Sequence, residues 1–305
     1  MRRLPFAVLL LALLPGAVPA ASAPPACPPE GYPPALLSFI QSQGFMVEDA
    51  RERQGLALAL LACTGHPNPA LRDNLAYGAI ATWLRGGMLD ATTVRAVRDD
   101  LLAQLRDRRD PQGFRRSFAA LLLSEVAQAD HVAPLFDAAE RRAMVDAAVD
   151  WLTEVRDYRG FVTGEGWRHG VAHGADLALH LVMNDRVEVA AVERVLAAVG
   201  ALVAPTATVF YVQGEPERLA RVVLRAHRRE ILDAGWWDRW IDRIAAPSPL
   251  PSWRAAFGSE PGLARRHNVR AFLLALAHLA RRGGEPGDAA LLAACDRALD
   301  RIDGA

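Results

Sequence analysis

The stretch Gly164–Met183, GEGWRHGVAHGADLALHLVM, limits the fold more than any other part of the chain. Read as a helix, it carries His169, His173, Asp176 and His180 at i, i+4, i+7 and i+11, all within roughly a 60° wedge. Ala, Gly, Leu and Val fill every other direction. A helix apolar on nearly all sides is a buried one. The chain must therefore build its core around this segment, and the polar stripe then faces an interior cleft instead of bulk water.

The remaining periodicity is helical almost throughout. It predicts helices over Ala35–Gln43 and Val47–Cys63, one beginning at Pro69 and closing at Gly86-Gly87, and one capped by Asp90 and stopped by Asp110-Pro111. Further helices are expected over Phe114–Ala129, Ala133–Val155, Val187–Val203, Glu215–Arg229, Ile231–Ile244, Arg265–Arg282 and Asp288–Ile302. Only Thr206–Gln213, TATVFYVQ, has β-type composition, and it predicts a short strand or extended segment. The expectation is one all-α domain of about a dozen helices, a HEAT-like helical array or α-solenoid with a helix pair every ~40 residues.

The chain divides into three parts. Residues 1–23 have the build of a signal peptide: Arg2-Arg3, an apolar run Phe6–Leu14, then Pro15, Gly16 and small residues. Residues 24–34 form a Pro-rich arm, and 35–305 the helical domain. The protein is thus expected to be exported, to the periplasm or beyond. No later segment approaches the about 20 apolar residues that a membrane span needs. The 35 basic residues, all arginine, balance 35 acidic ones with no basic block, which argues against nucleic acid as a partner. Cys27, Cys63 and Cys295 are the only cysteines, and export would permit a Cys27–Cys63 disulfide. Cys295, in an amphipathic pattern, reads as a buried, inert thiol.

His169 and His173 have the one-turn spacing that lets two imidazoles chelate one ion, with Asp176 as an oxygen ligand, so zinc or another divalent transition metal is a candidate cofactor. Gly170 stands where the zincin signature requires Glu, which removes the usual metalloprotease reading. The structural alternative is a buried polar network in which each His is satisfied by a carboxylate or carbonyl. Upstream, Asp157 and Arg159 either orient a ligand at the cleft mouth or pin a loop. Gly160, Gly164 and Gly166 indicate positive φ or close backbone approach. Trp167 is a core anchor or a stacking wall. The Trp236, Trp237 and Trp240 cluster is expected to pack a helix onto the core.

The run EVRDYRGFVTGEGWRHGVAHGADLALHLV resembles the central segment of the bacterial family known as domain of unknown function 2785, with its G-W-x-H-x-x-A-H-x-x-D pattern. Asp157, Arg159, Gly160, Gly166, Trp167, His169, Ala172, His173 and Asp176 match; Glu154 is displaced by one residue. Three flanking pieces are similar too: Leu71-Arg72-Asp73 with Tyr77, Arg116-Ser117-Phe118-Ala119, and Glu215-Pro216-Glu217-Arg218-Leu219-Ala220. The resemblance implies an all-α fold with one shared polar centre; Arg116, Glu217 and Arg218, at helix starts, either converge on His169 and His173 as a charged pocket or are ordinary caps and ion pairs. His180 lies outside the pattern. It names no substrate.

Two function classes remain. One is a binding or scaffold protein, whose helical surface or cleft takes a small molecule, protein or peptide. The other is a hydrolase, assisted by metal or by His and Asp as acid and base. Ser117 has no base near it in sequence, which weakens it as a nucleophile.

Overall fold

The computed structural model describes residues 26–304, so the expected leader over residues 1–23 lies outside the described residues. Within them the chain is a single all-α domain. Its helices are α1 (Pro34–Ser42), α2 (Ala50–Leu60), α3 (Gly78–Arg85), α4 (Ala91–Arg106), α5 (Arg115–Val132) and α6 (Ala138–Glu154). They continue as α7 (Gly170–Met183), α8 (Val189–Val203), α9 (Glu215–His227), α10 (Ala234–Ile244), α11 (Glu260–Gly283) and α12 (Asp288–Asp303). None of the described helices is long and apolar enough to cross a membrane.

Side-chain caps set several helix starts. Asp49, Asp90, Asp137, Asp233 and Ser259 each accept a hydrogen bond from a backbone N–H in the first turn of α2, α4, α6, α10 and α11. Asp137 and Glu140 complete a reciprocal capping box. This corrects the expected start at Ala133, because α6 cannot extend back through its own cap. Likewise α2 begins at Ala50 and not Val47, and α10 at Ala234 and not Ile231. In the other direction α11 reaches back to Glu260, where Ser259 caps it and Pro261 fits its first turn.

Contacts run between helices two apart in sequence. Helices α3, α5, α7, α9 and α11 form one file, and α2, α4, α6, α8, α10 and α12 form a second, with pairs such as α4–α5, α6–α7, α8–α9 and α11–α12 joining the files. At the middle of the first file sits α7, which packs most extensively on α5 and then on α9. Its apolar surround is thereby used on all sides: Val171, Ala172, Ala175, Leu177, Ala178, Leu181 and Val182 are buried. A side chain at Gly174 would put its Cβ 2.7 Å from the Trp151 ring, so glycine lets α6 lie close against α7. The Trp151 indole N–H then donates to the Gly170 carbonyl at 3.0 Å.

Of the two readings of Thr206–Gln213, a short strand or an extended segment, the strand does not form; Asn268 accepts from the Tyr211 N–H at 2.9 Å and donates to the Val209 carbonyl at 2.9 Å. Two-residue strands occur instead at β1 (Phe161–Val162) and β2 (Gly166–Trp167), an antiparallel hairpin just before α7. Its tight turn uses Gly164 at φ 84°, and β2 opens on Gly166 at φ 80°, a region glycine enters freely.

Cys27 and Cys63 are joined in a disulfide, which ties the Pro-rich arm to the end of α2. Cys295 is fully buried, and burial pushes its thiol up to about 12, so it stays protonated and inert. Trp237 and Trp240 are buried on the core as expected, and Trp236 bonds Glu193 at 2.8 Å.

Candidate functional site

His169 is not on the α7 helix. It is the residue before it, held at φ 50° and ψ 39° in the left-handed region. A non-glycine residue there is uncommon and carries about 1–3 kcal/mol of strain. The hairpin imposes the conformation: the Arg168 N–H donates to the Gly160 carbonyl at 2.9 Å, and the His169 N–H to the Arg159 carbonyl at 3.0 Å. The imidazole stacks on Trp167, ring centroids 4.6 Å apart and 21° between planes. The helical wedge read from spacing therefore loses its first member to the loop, yet the ring still ends 5.9 Å from that of His173.

Both imidazoles line one cavity of about 530 Å³. Phe118 and Leu121 of α5, Asp73 and Tyr77 of the turn before α3, and Gln213, Gly214, Glu217, Arg218 and Arg221 around the start of α9 complete it. Asp73 and Tyr77 come from a wide π-helical segment, Ala70–Tyr77, in which the Gly78 N–H reaches back five residues to the Asp73 carbonyl. Such segments recur at functional sites.

The protonation of His173 can be assigned from its partners. Its Nδ1 lies 2.8 Å from Ser117 Oγ and 3.2 Å from the Ser117 carbonyl. The one hydroxyl proton of Ser117 is directed at the Arg168 carbonyl. Both neighbours of Nδ1 are therefore acceptors, so Nδ1 carries the proton and Nε2 keeps its lone pair. Burial, with His169 beside it, holds the imidazole down to about 3 against an opposing bond to the Ser117 carbonyl. Burial and then Arg218 hold His169 down to about 4. At neutral pH both rings are uncharged. His169 Nε2 has no hydrogen-bond partner and lies 3.9 Å from Glu215 Oε1.

The charged groups around these rings are compensated within the chain. Arg218 bonds the Asp176 carboxylate. Burial raises the Asp176 carboxyl even so, the guanidinium offsetting only part of that cost. Arg72, with none of its side chain exposed, pairs with Asp73 at 2.7 Å. It also donates to the carbonyls of His66 (2.9 Å), Pro67 (3.2 Å) and Glu165 (2.9 Å). Phe114 and Phe118 flank its guanidinium at 3.8 and 4.9 Å. Arg72 thus fastens the hairpin to the loop before α3, beneath the cavity.

The residues expected at the site separate into two groups. His169, His173, Glu217 and Arg218 meet at the cavity, and Asp176 stands behind it on Arg218. Arg116 points away, to the Leu105 carbonyl at 2.8 Å and Glu154 at 3.3 Å. Asp157 and Arg159 bond each other and hold the loop through the Gln112 carbonyl, the pinning alternative. His180 does not line the cavity. The metal set proposed from spacing is not assembled: Asp176 is committed to Arg218, and among the described residues no group of three or more His, Cys, Asp and Glu is placed to hold a metal ion. Sequence spacing missed the Ser117–His173 bond, which joins residues 56 apart.

A model of the family described as "Protein of unknown function (DUF2785)" matches residues 101–277, more than half of the chain, and the chain belongs to that family. No curated protein and no solved structure matches it. A second cavity, of about 610 Å³, lies between α9, α10 and α12 and is lined by Arg228, Glu230, Trp237 and Asp288 among others.

Proposed function

We propose that this member of the family is a binding protein whose cleft, lined by His169 and His173, takes a small organic molecule. The carrying observation is the tautomer of His173 set by its Ser117 contacts, which presents a bare Nε2 lone pair in a 530 Å³ cavity whose wall sets Phe118, Leu121 and Trp167 among polar and charged residues. Nε2 makes no hydrogen bond to the described residues and is not enclosed by them, so it is an acceptor open to a ligand, which the cavity has room for.

Magnitude favours binding over acid–base hydrolysis. A general base works best when its pKa lies near the operating pH, and an imidazole held down to about 3 is a poor proton acceptor there. Ser117 directs its proton to a carbonyl and not to the imidazole, the reverse of what an activated seryl nucleophile needs. Export is part of the same proposal, supported by the apolar leader and the Cys27–Cys63 disulfide. So is a HEAT-like array, supported by the two files of helices.

Leu121→Trp tests the cleft. Leu121 is half-buried on α5 and lines the cavity, so an indole there fills space without invading the core. In a thermal-shift screen of ring compounds of a few hundred daltons, hits are expected to raise the Tm of the natural protein and leave the variant unchanged. No hits, or equal shifts in both proteins, would overturn the proposal.

A further inference from the structure

Resting on that reading, we infer that the cleft selects an uncharged molecule, one that offers a hydroxyl or amide N–H to His173 Nε2 from an apolar or ring-bearing body. Nε2 can only accept, so the ligand must donate. Hydroxyl, amide and ammonium groups all satisfy that requirement, and the electrostatics decide among them.

No charged partner is waiting inside. Asp176 is neutralised by Arg218 and Asp73 by Arg72. The buried Glu215 accepts from the Gln213 N–H at 2.8 Å and sits in the first turn of α9, where the helix dipole favours a carboxylate. Glu217 and Arg221, both exposed and opposite in sign, are the remaining charges of the lining, and they stand at its rim. An ammonium or carboxylate brought to the imidazoles would lose its hydration, and the nearest carboxylate, Glu215, with Oε1 3.9 Å from His169 Nε2, is already held by the Gln213 N–H through its Oε2. A hydroxyl or amide would lose far less, and Nε2 compensates it.

The other groups agree. His169 stacks on Trp167 and forms part of the wall, its Nε2 buried 3.9 Å from Glu215 Oε1. Phe118, Leu121 and Trp167 supply apolar wall for the ligand body.

Three probes with one skeleton test the inference: naphthalene-2-methanol, naphthalene-2-carboxylate and naphthalene-2-methylammonium, titrated at neutral pH and followed by NMR shifts. The alcohol is expected to bind at least about tenfold more tightly than either ion, as about 1.4 kcal/mol of uncompensated desolvation would give. Leu121→Trp should abolish that binding, and His173→Phe should remove the alcohol's advantage. Tighter binding of the carboxylate or the ammonium overturns the inference while leaving a small-molecule cleft in place. Failure of all three, or binding that persists in Leu121→Trp, overturns the cleft reading as well.

Discussion

Arg72→Leu is expected to remove about 3–5 kcal/mol of folding stability, the range found when one partner of a buried ion pair is deleted. The substitution leaves the carbonyls of His66, Pro67 and Glu165 without their donor, and Asp73 without its counter-ion. Burial alone already raises the Asp73 carboxyl more than Arg72 lowers it, so the unpaired group would be driven further toward its neutral form. Arg72→Lys should recover only part of the loss, because an ammonium cannot span the same carbonyls or lie flat between Phe114 and Phe118. Denaturant unfolding measures both variants. A loss under about 1 kcal/mol for the leucine variant would mean that the hairpin is held in some other way. Because Arg72 anchors Glu165, loosening it should also release Trp167 and His169 from the cavity wall.

Removing the Cys27–Cys63 disulfide should cost a similar amount. The bond closes a loop with a sequence separation of 36, which includes α1 and α2. Closing such a loop restricts the unfolded chain by about 4 kcal/mol in the chain-entropy account. Cys27→Ser tests this with little disturbance to packing, since Cys27 is only half-buried whereas Cys63 is fully enclosed. The oxidised protein should be the more stable by about 3–4 kcal/mol in denaturant, and a reductant should bring it to the level of the variant. Equal stability of the two forms would contradict the assignment of a structural role to the bond.

The amino-acid sequence carried the fold in some places and not in others, for identifiable reasons. The burial of α7 was legible because a 3.6-residue pattern apolar on all faces has few other solutions. Helix starts were less so. Asp49, Asp137 and Asp233 were all visible as cap residues, but apolar residues just before them prolong the periodic pattern past the true start. The hairpin was hidden because strands of two residues leave no alternation to detect. In the site, spacing selected His173 and Asp176 correctly as neighbours on α7, and misplaced His169, whose left-handed backbone is set by bonds to Arg159 and Gly160. Local spacing has no access to contacts such as Ser117 with His173 or Arg72 with Glu165. The flanking pieces that resemble the family did point to them: Arg72, Asp73, Tyr77, Ser117, Phe118, Glu215, Glu217 and Arg218 all lie in or against the cavity.

The central claim is that His173 is neutral, with its proton on Nδ1 and a lone pair on Nε2 facing the cavity. Its sign with pH follows from the depressed pKa: above the unfolded value of 6.5 folding costs no proton, and below it the unfolded chain binds protons that the native state refuses. Stability should therefore fall as pH drops from about 6.5 toward 3. Nitrogen-15 NMR of the imidazoles, with His173→Phe to assign the resonances, reads the tautomer directly. The account predicts a protonated Nδ1 and an unprotonated Nε2 that do not titrate between pH 8 and about 4. A proton on Nε2, or a midpoint near the ordinary 6.5, would contradict it.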